Sequence, residues 1–229
     1  DAFTFTDRKA IGVIQRQVLY PYVGSDEAAK YEKFGVKAYD TPIAAPWDKL
    51  YRKAFLDENG LGYNESLRVL DDMFFNMEVF GFARRVEYIK HPVYEYVRND
   101  GSITSSYVAD RVERDMKVWK AIEEYIGRYS ESDGVSKNDV ARLIKAFCKR
   151  VVKSYAISCK LCLFNKNNHD SLGAKLKKAG MVLNEDIYRK AFLSVSPREM
   201  EWKLRPVLFF GRRRMTLPIY MLTVLEARR

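Results

Sequence analysis

The feature that most constrains the fold is a helical periodicity that runs through the second half of the chain. From Tyr107 onward, apolar residues recur every three or four positions, and Leu143, Phe147 and Val151 mark one such face. No apolar run reaches the roughly 18 residues that a membrane-spanning helix needs. The pattern predicts helices over 107–129, 137–164, 171–179, 184–194 and 197–210.

The first half of the chain has a mixed pattern. Helical spacing predicts a short helix over residues 8–20 and another over 71–82. Between 86 and 97 the chain is rich in Val, Ile and Tyr and is interrupted by Pro92, which predicts two short strands, 86–90 and 93–97. We therefore expect an α/β first part and an all-helical second part.

The chain has a net charge of +10, and its charged residues are unevenly distributed along the sequence. Residues 1–140 carry 20 basic and 24 acidic side chains, whereas residues 141–229 carry 20 basic and 6 acidic ones. A basic segment of this kind attracts polyanions, which are either anionic lipid head groups or nucleic acid. Charge alone leaves both open.

The three cysteines, Cys148, Cys159 and Cys162, lie in one predicted helical stretch, and they indicate a reducing compartment. Cys159 and Cys162 have the C-x-x-C spacing, with His169 seven residues further on, but a zinc site needs a fourth ligand. We expect them to pack as small apolar side chains. His91 and His169 have no acid at ligand spacing, so the sequence predicts no metal site.

Four motifs follow one another between residues 42 and 106. They are a P-W-x-K-L-Y element at 46–51, an acidic pair opening a helix at 71–76, a P-x-Y-x-Y strand at 92–96 and an S-I-T loop end at 102–104. Together they resemble the C-terminal half of the family-2 glycosyltransferases, inverting enzymes of GT-A type that build bacterial surface polysaccharides. The resemblance implies the C-terminal part of a GT-A sheet, followed by a helical basic extension.

The resemblance also implies roles for individual residues. An inverting transfer needs a general base for the acceptor hydroxyl, and Asp72 is the candidate. Asp71 would orient the site or contact the acceptor, and Trp47 and Lys49 would line the substrate cleft. In the loop after the tyrosine strand, the remaining candidate substrate contacts are Arg98, Asn99 and Ser102.

The residues alone leave a structural interpretation open. Two acids at the start of a helix also stabilise its dipole without any catalytic role. In the same way, Trp47 is compatible with a core position and Lys49 with a solvated one.

The chain departs from the family pattern in two ways. Val97 and Asn99 stand where related enzymes often carry Arg and His, and no D-x-D, the motif that binds Mg²⁺ or Mn²⁺ between the donor phosphates, is present. Only 46 residues precede Trp47, too few for the nucleotide-binding half. We expect a fragment of a longer enzyme that is inactive alone. Residues 1–106 would belong to the catalytic domain and residues 107–229 to the extension. The metal would belong to the full-length parent.

The resemblance implies a nucleotide-sugar donor and a glycan or lipid-linked acceptor as partners. Basic and apolar residues are combined at helical spacing in the tail, which is typical of helices at a membrane interface. We therefore expect peripheral contact with an anionic membrane at its cytoplasmic face. The alternative is a non-catalytic basic helical module that binds anionic membrane or nucleic acid. The sequence lacks a helix-turn-helix, zinc-finger or RRM motif, which disfavours nucleic acid.

Overall fold

A computed structural model of the protein describes residues 2–21, 43–89, 91, 93–95, 97 and 106–227. Within these ranges the chain is mostly helical, with one two-stranded sheet. Its elements are β1 (Ala2–Phe5), α1 (Arg8–Leu19), α2 (Lys53–Glu58), α3 (Asp71–Phe82), β2 (Val86–Ile89), α4 (Arg111–Ser130), α5 (Lys137–Ser158), a π-helical turn (Cys159–Leu163), α6 (Leu172–Asn184), α7 (Asp186–Ser194), 3-10 turns at Pro197–Glu199 and Trp202–Leu204, α8 (Arg205–Arg212) and α9 (Thr216–Ala227).

Contacts within the chain define two compact units. Unit 1 comprises Asp1–Val97 and Lys120–Phe147, and unit 2 comprises Arg98–Trp119 and Cys148–Arg229. The two long helices α4 and α5 therefore each supply residues to both units. The division into domains at residue 106 stays a prediction.

The centre of unit 1 is α3, which is buried on almost every side. Its buried residues are Met73, Phe74, Phe75, Asn76, Met77, Val79, Phe80 and Gly81. A helix that is apolar all round has to be enclosed by other elements, and α1 packs along it. The burial of α3 fixes the positions of both of its ends.

Two polar side chains and one glycine hold the neighbours of α3 in place. Buried Gln15 of α1 donates from Nε2 to the Met77 carbonyl oxygen at 3.2 Å and to the Tyr125 hydroxyl at 2.9 Å. A Cβ atom at Gly81 would lie 1.9 Å from that same hydroxyl oxygen. Only glycine therefore allows Tyr125 of α4 to come this close to α3.

The sheet of unit 1 is short. Strand β1 pairs antiparallel with β2, with Ala2 opposite Ile89 and Phe5 opposite Val86. Phe5 packs in a small core with Ile11 and Ala83. This two-stranded sheet does not show a GT-A sheet. It is only loosely compatible with the expected α/β class.

Unit 2 is organised around a buried carboxylate. Asp115 of α4 is fully buried; its Oδ1 accepts a hydrogen bond from Arg111 Nε at 2.8 Å. Its Oδ2 accepts hydrogen bonds from the hydroxyls of Ser154 and Ser158 of α5, at 2.7 and 2.9 Å. Each carboxylate oxygen thus has a donor, which offsets the cost of burying the charge.

Aromatic rings and thiols also lie in the unit 2 core. Tyr155 meets Tyr188 and Phe192 edge to face, and the Trp119 indole donates to the Tyr188 hydroxyl at 3.2 Å. Cys148, Cys159 and Cys162 are buried and unbridged, as predicted. Burial raises the pKa of the Cys159 thiol, so this thiol is neutral at physiological pH.

Two sequence predictions are wrong in instructive ways. Residues 93–95 and 97 form no strand, because β2 pairs with β1 and the Tyr94 ring stacks on Trp47 instead. Residues 197–210 are not one helix, since the chain is extended at Met200 and α8 begins at Arg205. Pro206 lacks a backbone N–H, so it fits only in the first turn of a new helix.

The other predicted elements are confirmed, with ends shifted by up to five residues. Helices α1 and α3 and strand β2 match the predictions 8–20, 71–82 and 86–90. No helix in the described ranges has the length and apolar content to cross a bilayer.

The Asp115 network predicts a large stability effect. Asp115→Ala leaves the Arg111 guanidinium and two buried hydroxyls without their acceptor, so the free energy of unfolding should fall by about 3–5 kcal/mol. Urea unfolding followed by circular dichroism measures this change. Asp170→Ala, at an exposed position, is the control and should change stability by less than about 0.5 kcal/mol. A loss below about 1 kcal/mol for Asp115→Ala would contradict the assignment.

Candidate functional site

The candidate base lies in the first turn of the buried helix α3. Asp71 and Asp72 are its first two residues, and both are half-buried. One Asp72 oxygen, Oδ1, accepts a hydrogen bond from the Met73 backbone N–H at 2.7 Å. The helix dipole favours negative charge at this end. Asp72 is neither sealed in the apolar interior nor fully exposed.

The turn that leads into α3 is strained. Leu70, which directly precedes the helix, has φ 56° and ψ 20°, in the left-handed region. A non-glycine residue costs about 1 kcal/mol or more in this region and keeps such a conformation only where its surroundings impose it. Strained residues of this kind cluster at functional sites.

A buried amide joins the segment 43–51 to α3. Asn76 is completely buried, and its Nδ2 donates to the Ala44 carbonyl at 2.9 Å and to the Asp72 carbonyl at 3.1 Å. Its Oδ1 accepts a hydrogen bond from the Tyr51 hydroxyl at 2.7 Å. These bonds fix the P-W-x-K-L-Y motif beside the helix start.

Lys49 is part of this arrangement. Its Nζ donates to the Ala45 carbonyl at 2.6 Å and pairs with Asp48 Oδ1 at 2.5 Å. Only 14% of each of these two side chains is exposed. Burial lowers the pKa of Lys49, and the negative charges of Asp48 and Asp72 partly oppose this shift. Lys49 is thus not the solvated lysine that the sequence left open.

Aromatic rings surround the helix start. Trp47 stacks on Tyr94 with ring centroids 4.4 Å apart, and Tyr63 stacks on Phe75 at 4.5 Å. Burial, with a contribution from the charges of Asp72 and Asp71, raises the pKa of Tyr63. The phenol is therefore a neutral hydrogen-bond donor over the physiological range. Exposed faces of such rings suit the apolar sides of sugars.

The structure brings several predicted residues together. Asp72 interacts electrostatically with Lys49, Tyr51 and Tyr63, and Trp47 lies two residues before Lys49. The predicted positions that lie outside the described residues are Arg98, Asn99 and Ser102. The role of each predicted residue in a reaction stays a prediction.

Three polar residues of this cluster were not predicted from the sequence. Tyr51 and Asn76 lie inside the motifs, and Tyr63 lies between them. Asn76 carried a usable signal, because Asn76 and Glu78 are the two polar residues in the stretch between Met73 and Phe82. A buried amide needs hydrogen-bond partners, and these are what attach the 43–51 segment.

The described residues also bear on a metal. Within residues 2–21, 43–89 and 106–227 there is no group of three or more His, Cys, Asp or Glu side chains placed to hold an ion. The Mg²⁺ or Mn²⁺ ion expected for the full-length parent stays a prediction.

Comparison with known proteins adds an independent observation. The chain is similar to a Bacillus subtilis (strain 168) protein named Putative glycosyltransferase EpsH, with 20% identity over 174 residues. The similarity supports a glycosyltransferase relationship. It covers 74% of this chain and 47% of the relative, so the chain spans about half the length of the curated relative it matches.

Two further comparisons gave no match. No protein-family model matches the chain, and no solved structure does. The glycosyltransferase relationship therefore depends on the similarity to the Bacillus protein.

The hydrogen bond between Tyr51 and Asn76 can be tested by a double-mutant cycle. Tyr51→Phe and Asn76→Ala both remove this bond, so their effects on unfolding free energy should be non-additive by about 0.5–1.5 kcal/mol. Tyr63→Phe is the matched control, since Tyr63 stacks on the same Phe75 ring as Tyr51. It should be additive with Asn76→Ala. Additivity in both cycles would contradict a stabilising bond between Tyr51 and Asn76.

Proposed function

We propose that this chain is the C-terminal portion of an inverting family-2 glycosyltransferase of GT-A type. The enzyme transfers a sugar from a nucleotide-sugar donor to a hydroxyl of a glycan or lipid-linked acceptor, in polysaccharide synthesis. The observation that carries the proposal is the half-buried Asp72 carboxylate at the start of α3, which interacts electrostatically with half-buried Lys49 and with Tyr63. Similarity to a glycosyltransferase supports it.

The proposed reaction needs one proton acceptor. The acceptor oxygen forms a bond with the anomeric carbon while the bond from that carbon to the diphosphate oxygen breaks on the opposite face. The electron pair of the broken bond leaves with the nucleoside diphosphate. Asp72 takes the proton of the attacking hydroxyl. The hydrogen bond from the Met73 N–H keeps one oxygen of this carboxylate oriented.

The surrounding residues bind and orient in this proposal. Trp47 and Tyr94 supply a stacked pair of rings for the acceptor sugar, and Lys49 contributes a positive charge that Asp48 holds in place. Asp71 accepts hydrogen bonds from acceptor hydroxyls. The loop residues proposed to complete the substrate contacts are Arg98, Asn99 and Ser102. The nucleotide-binding part and the Mg²⁺ or Mn²⁺ ion belong to the whole enzyme.

We also propose that the helical tail contacts an anionic membrane, which places the enzyme at the cytoplasmic face of the cell membrane. Helices α8 and α9 pack on each other and carry exposed apolar side chains. These are Phe209, Leu217, Met221 and Leu225. Exposed Arg213 and Arg214 lie between the two helices in sequence, and the Arg213 guanidinium lies 3.8 Å from the Phe209 ring centroid.

Arg212 differs from its two neighbours. Its guanidinium points inward and donates to the carbonyls of Phe192, at 2.7 Å, and Val195. The basic side chains proposed to meet lipid head groups are therefore Arg213 and Arg214, and the charge excess of residues 141–229 adds to their attraction.

The Asp72 role is tested in the whole enzyme. Asp72→Asn keeps an oxygen that accepts the Met73 N–H but removes the proton acceptor, so turnover should fall by about 10²–10⁴-fold. Donor binding and stability should be almost unchanged. Radiolabelled sugar transfer measures turnover, and calorimetric titration with the donor measures donor binding.

A control variant tests whether the loss of turnover is specific to Asp72. Asp57→Asn, at an exposed position of α2, should leave turnover unchanged. If Asp72→Asn retains wild-type turnover, Asp72 has only the capping role. Loss of stability together with turnover would likewise favour the structural interpretation.

The membrane proposal predicts selective binding to anionic vesicles. The chain should float with vesicles of phosphatidylcholine and phosphatidylglycerol and should not retard duplex DNA at the same salt concentration. The double variant Leu217→Glu with Met221→Glu should lose most vesicle binding, whereas Leu50→Glu, fully exposed in unit 1, should not. Selective retention of DNA would instead favour a nucleic-acid-binding module.

A further inference from the structure

Unit 1 contains a cavity at the opposite end of α3 from Asp72. Its volume is about 830 Å³, and its walls come from the start of α1, the turn after α2, the ends of α3 and α4, and residues 132–134. Ligand pockets in proteins typically measure about 300–1,000 Å³. Gly81, which lines the cavity, is nine residues from Asp72, or about 14 Å along the helix axis. The cavity is thus separate from the proposed transfer site.

Three arginines line this cavity. They are Arg8, Arg84 and Arg128, and all three side chains are exposed. Arg128 pairs with Glu78 at 3.6 Å, which offsets its charge. Arg8 and Arg84 bring two guanidinium groups to the same space. A guanidinium donates two parallel hydrogen bonds to a phosphate, so two of them can hold one phosphate group.

Arg8 is also the first residue of α1. The positive end of the α1 dipole therefore lies at the cavity, where Thr6 contributes a hydroxyl to the wall. Asp7 already caps this helix end, since its Oδ1 accepts a hydrogen bond from the Lys9 backbone N–H at 3.0 Å. The attraction for an anion therefore comes from the two guanidinium groups.

One wall of the cavity is aromatic. Tyr125 and Tyr129 line it, and their rings are stacked with centroids 5.6 Å apart. The Tyr125 hydroxyl is fixed by Gln15 against Gly81, so this wall is already formed without a ligand. Burial raises the pKa of the Tyr129 hydroxyl, which therefore stays a neutral donor. Both rings are almost fully buried, so they close this side of the cavity and present no open faces.

Acidic groups complete the lining. Asp133 and Glu78 add carboxylates to the cavity wall. Carboxylate oxygens accept hydrogen bonds from sugar hydroxyls. A ligand that suits these groups has one anionic end and several hydroxyl donors.

The geometry points to a binding site for a phosphorylated sugar in this cavity. The guanidinium groups of Arg8 and Arg84 hold the phosphate, and the Tyr125 and Tyr129 pair bounds the space left for the sugar. Asp133 accepts hydrogen bonds from the hydroxyls. The site does not depend on the proposed transfer reaction, since none of its lining residues belongs to the Asp72 cluster.

Calorimetric titration of the 229-residue chain with glucose 1-phosphate tests this inference. Wild-type protein should bind glucose 1-phosphate at least tenfold more tightly than it binds glucose or inorganic phosphate, because only the joined ligand uses both sides of the cavity. Arg84→Gln should weaken binding at least tenfold. Arg85→Gln, a change at the neighbouring arginine that pairs with Glu87 outside the cavity, should change binding less than twofold.

Several results would overturn the inference. These are absence of glucose 1-phosphate binding at millimolar concentration, equal effects of the two arginine variants, and equally tight binding of plain glucose. Lys49→Gln distinguishes the two sites, because a loss of binding in this variant with retention in Arg84→Gln would place the ligand at the start of α3. A failure of this titration leaves the Asp72 experiment unaffected.

Discussion

The burial of α3 is the constraint on which unit 1 depends. Since nearly every face of this helix is apolar and enclosed, it cannot rotate or slide without exposing large side chains. Its two ends are consequently fixed points. Asp72 is held at one end, where Asn76 attaches the 43–51 segment, and Gly81 at the other, where Tyr125 approaches. A single helix thus positions both the proposed transfer site and the cavity.

The fold could be predicted where local pattern decides it. The predicted and observed ends of α3 agree, because a mostly apolar stretch of this length that opens with two acids has few alternatives to a buried helix. The strand predicted over 93–97 is absent at residues 93–95 and 97, because a strand depends on a partner and β2 pairs with β1 instead. The break at Met200 was not predicted either, because that side chain is fully buried through contacts that periodicity does not encode.

The site was predictable only in part. Motif order placed Asp72 in the first turn of a helix, and the structure agrees. The burial of Lys49 against Asp48 and the bond from Tyr51 to Asn76 were not predicted, because they depend on how a loop folds onto a helix 20 or more residues away. The arginines of the cavity are scattered from Arg8 to Arg128 in the sequence, so no local pattern groups them.

The interleaving of the two units constrains synthesis. Residues 120–147 complete unit 1, yet residues 98–119, which belong to unit 2, are translated before them. A nascent chain therefore leaves the ribosome with the first part of unit 2 made and its remaining helices still missing. Until Ser154 and Ser158 emerge, the Asp115 carboxylate lacks the two hydroxyl donors that it has in the folded protein, so the first part of unit 2 stays incomplete.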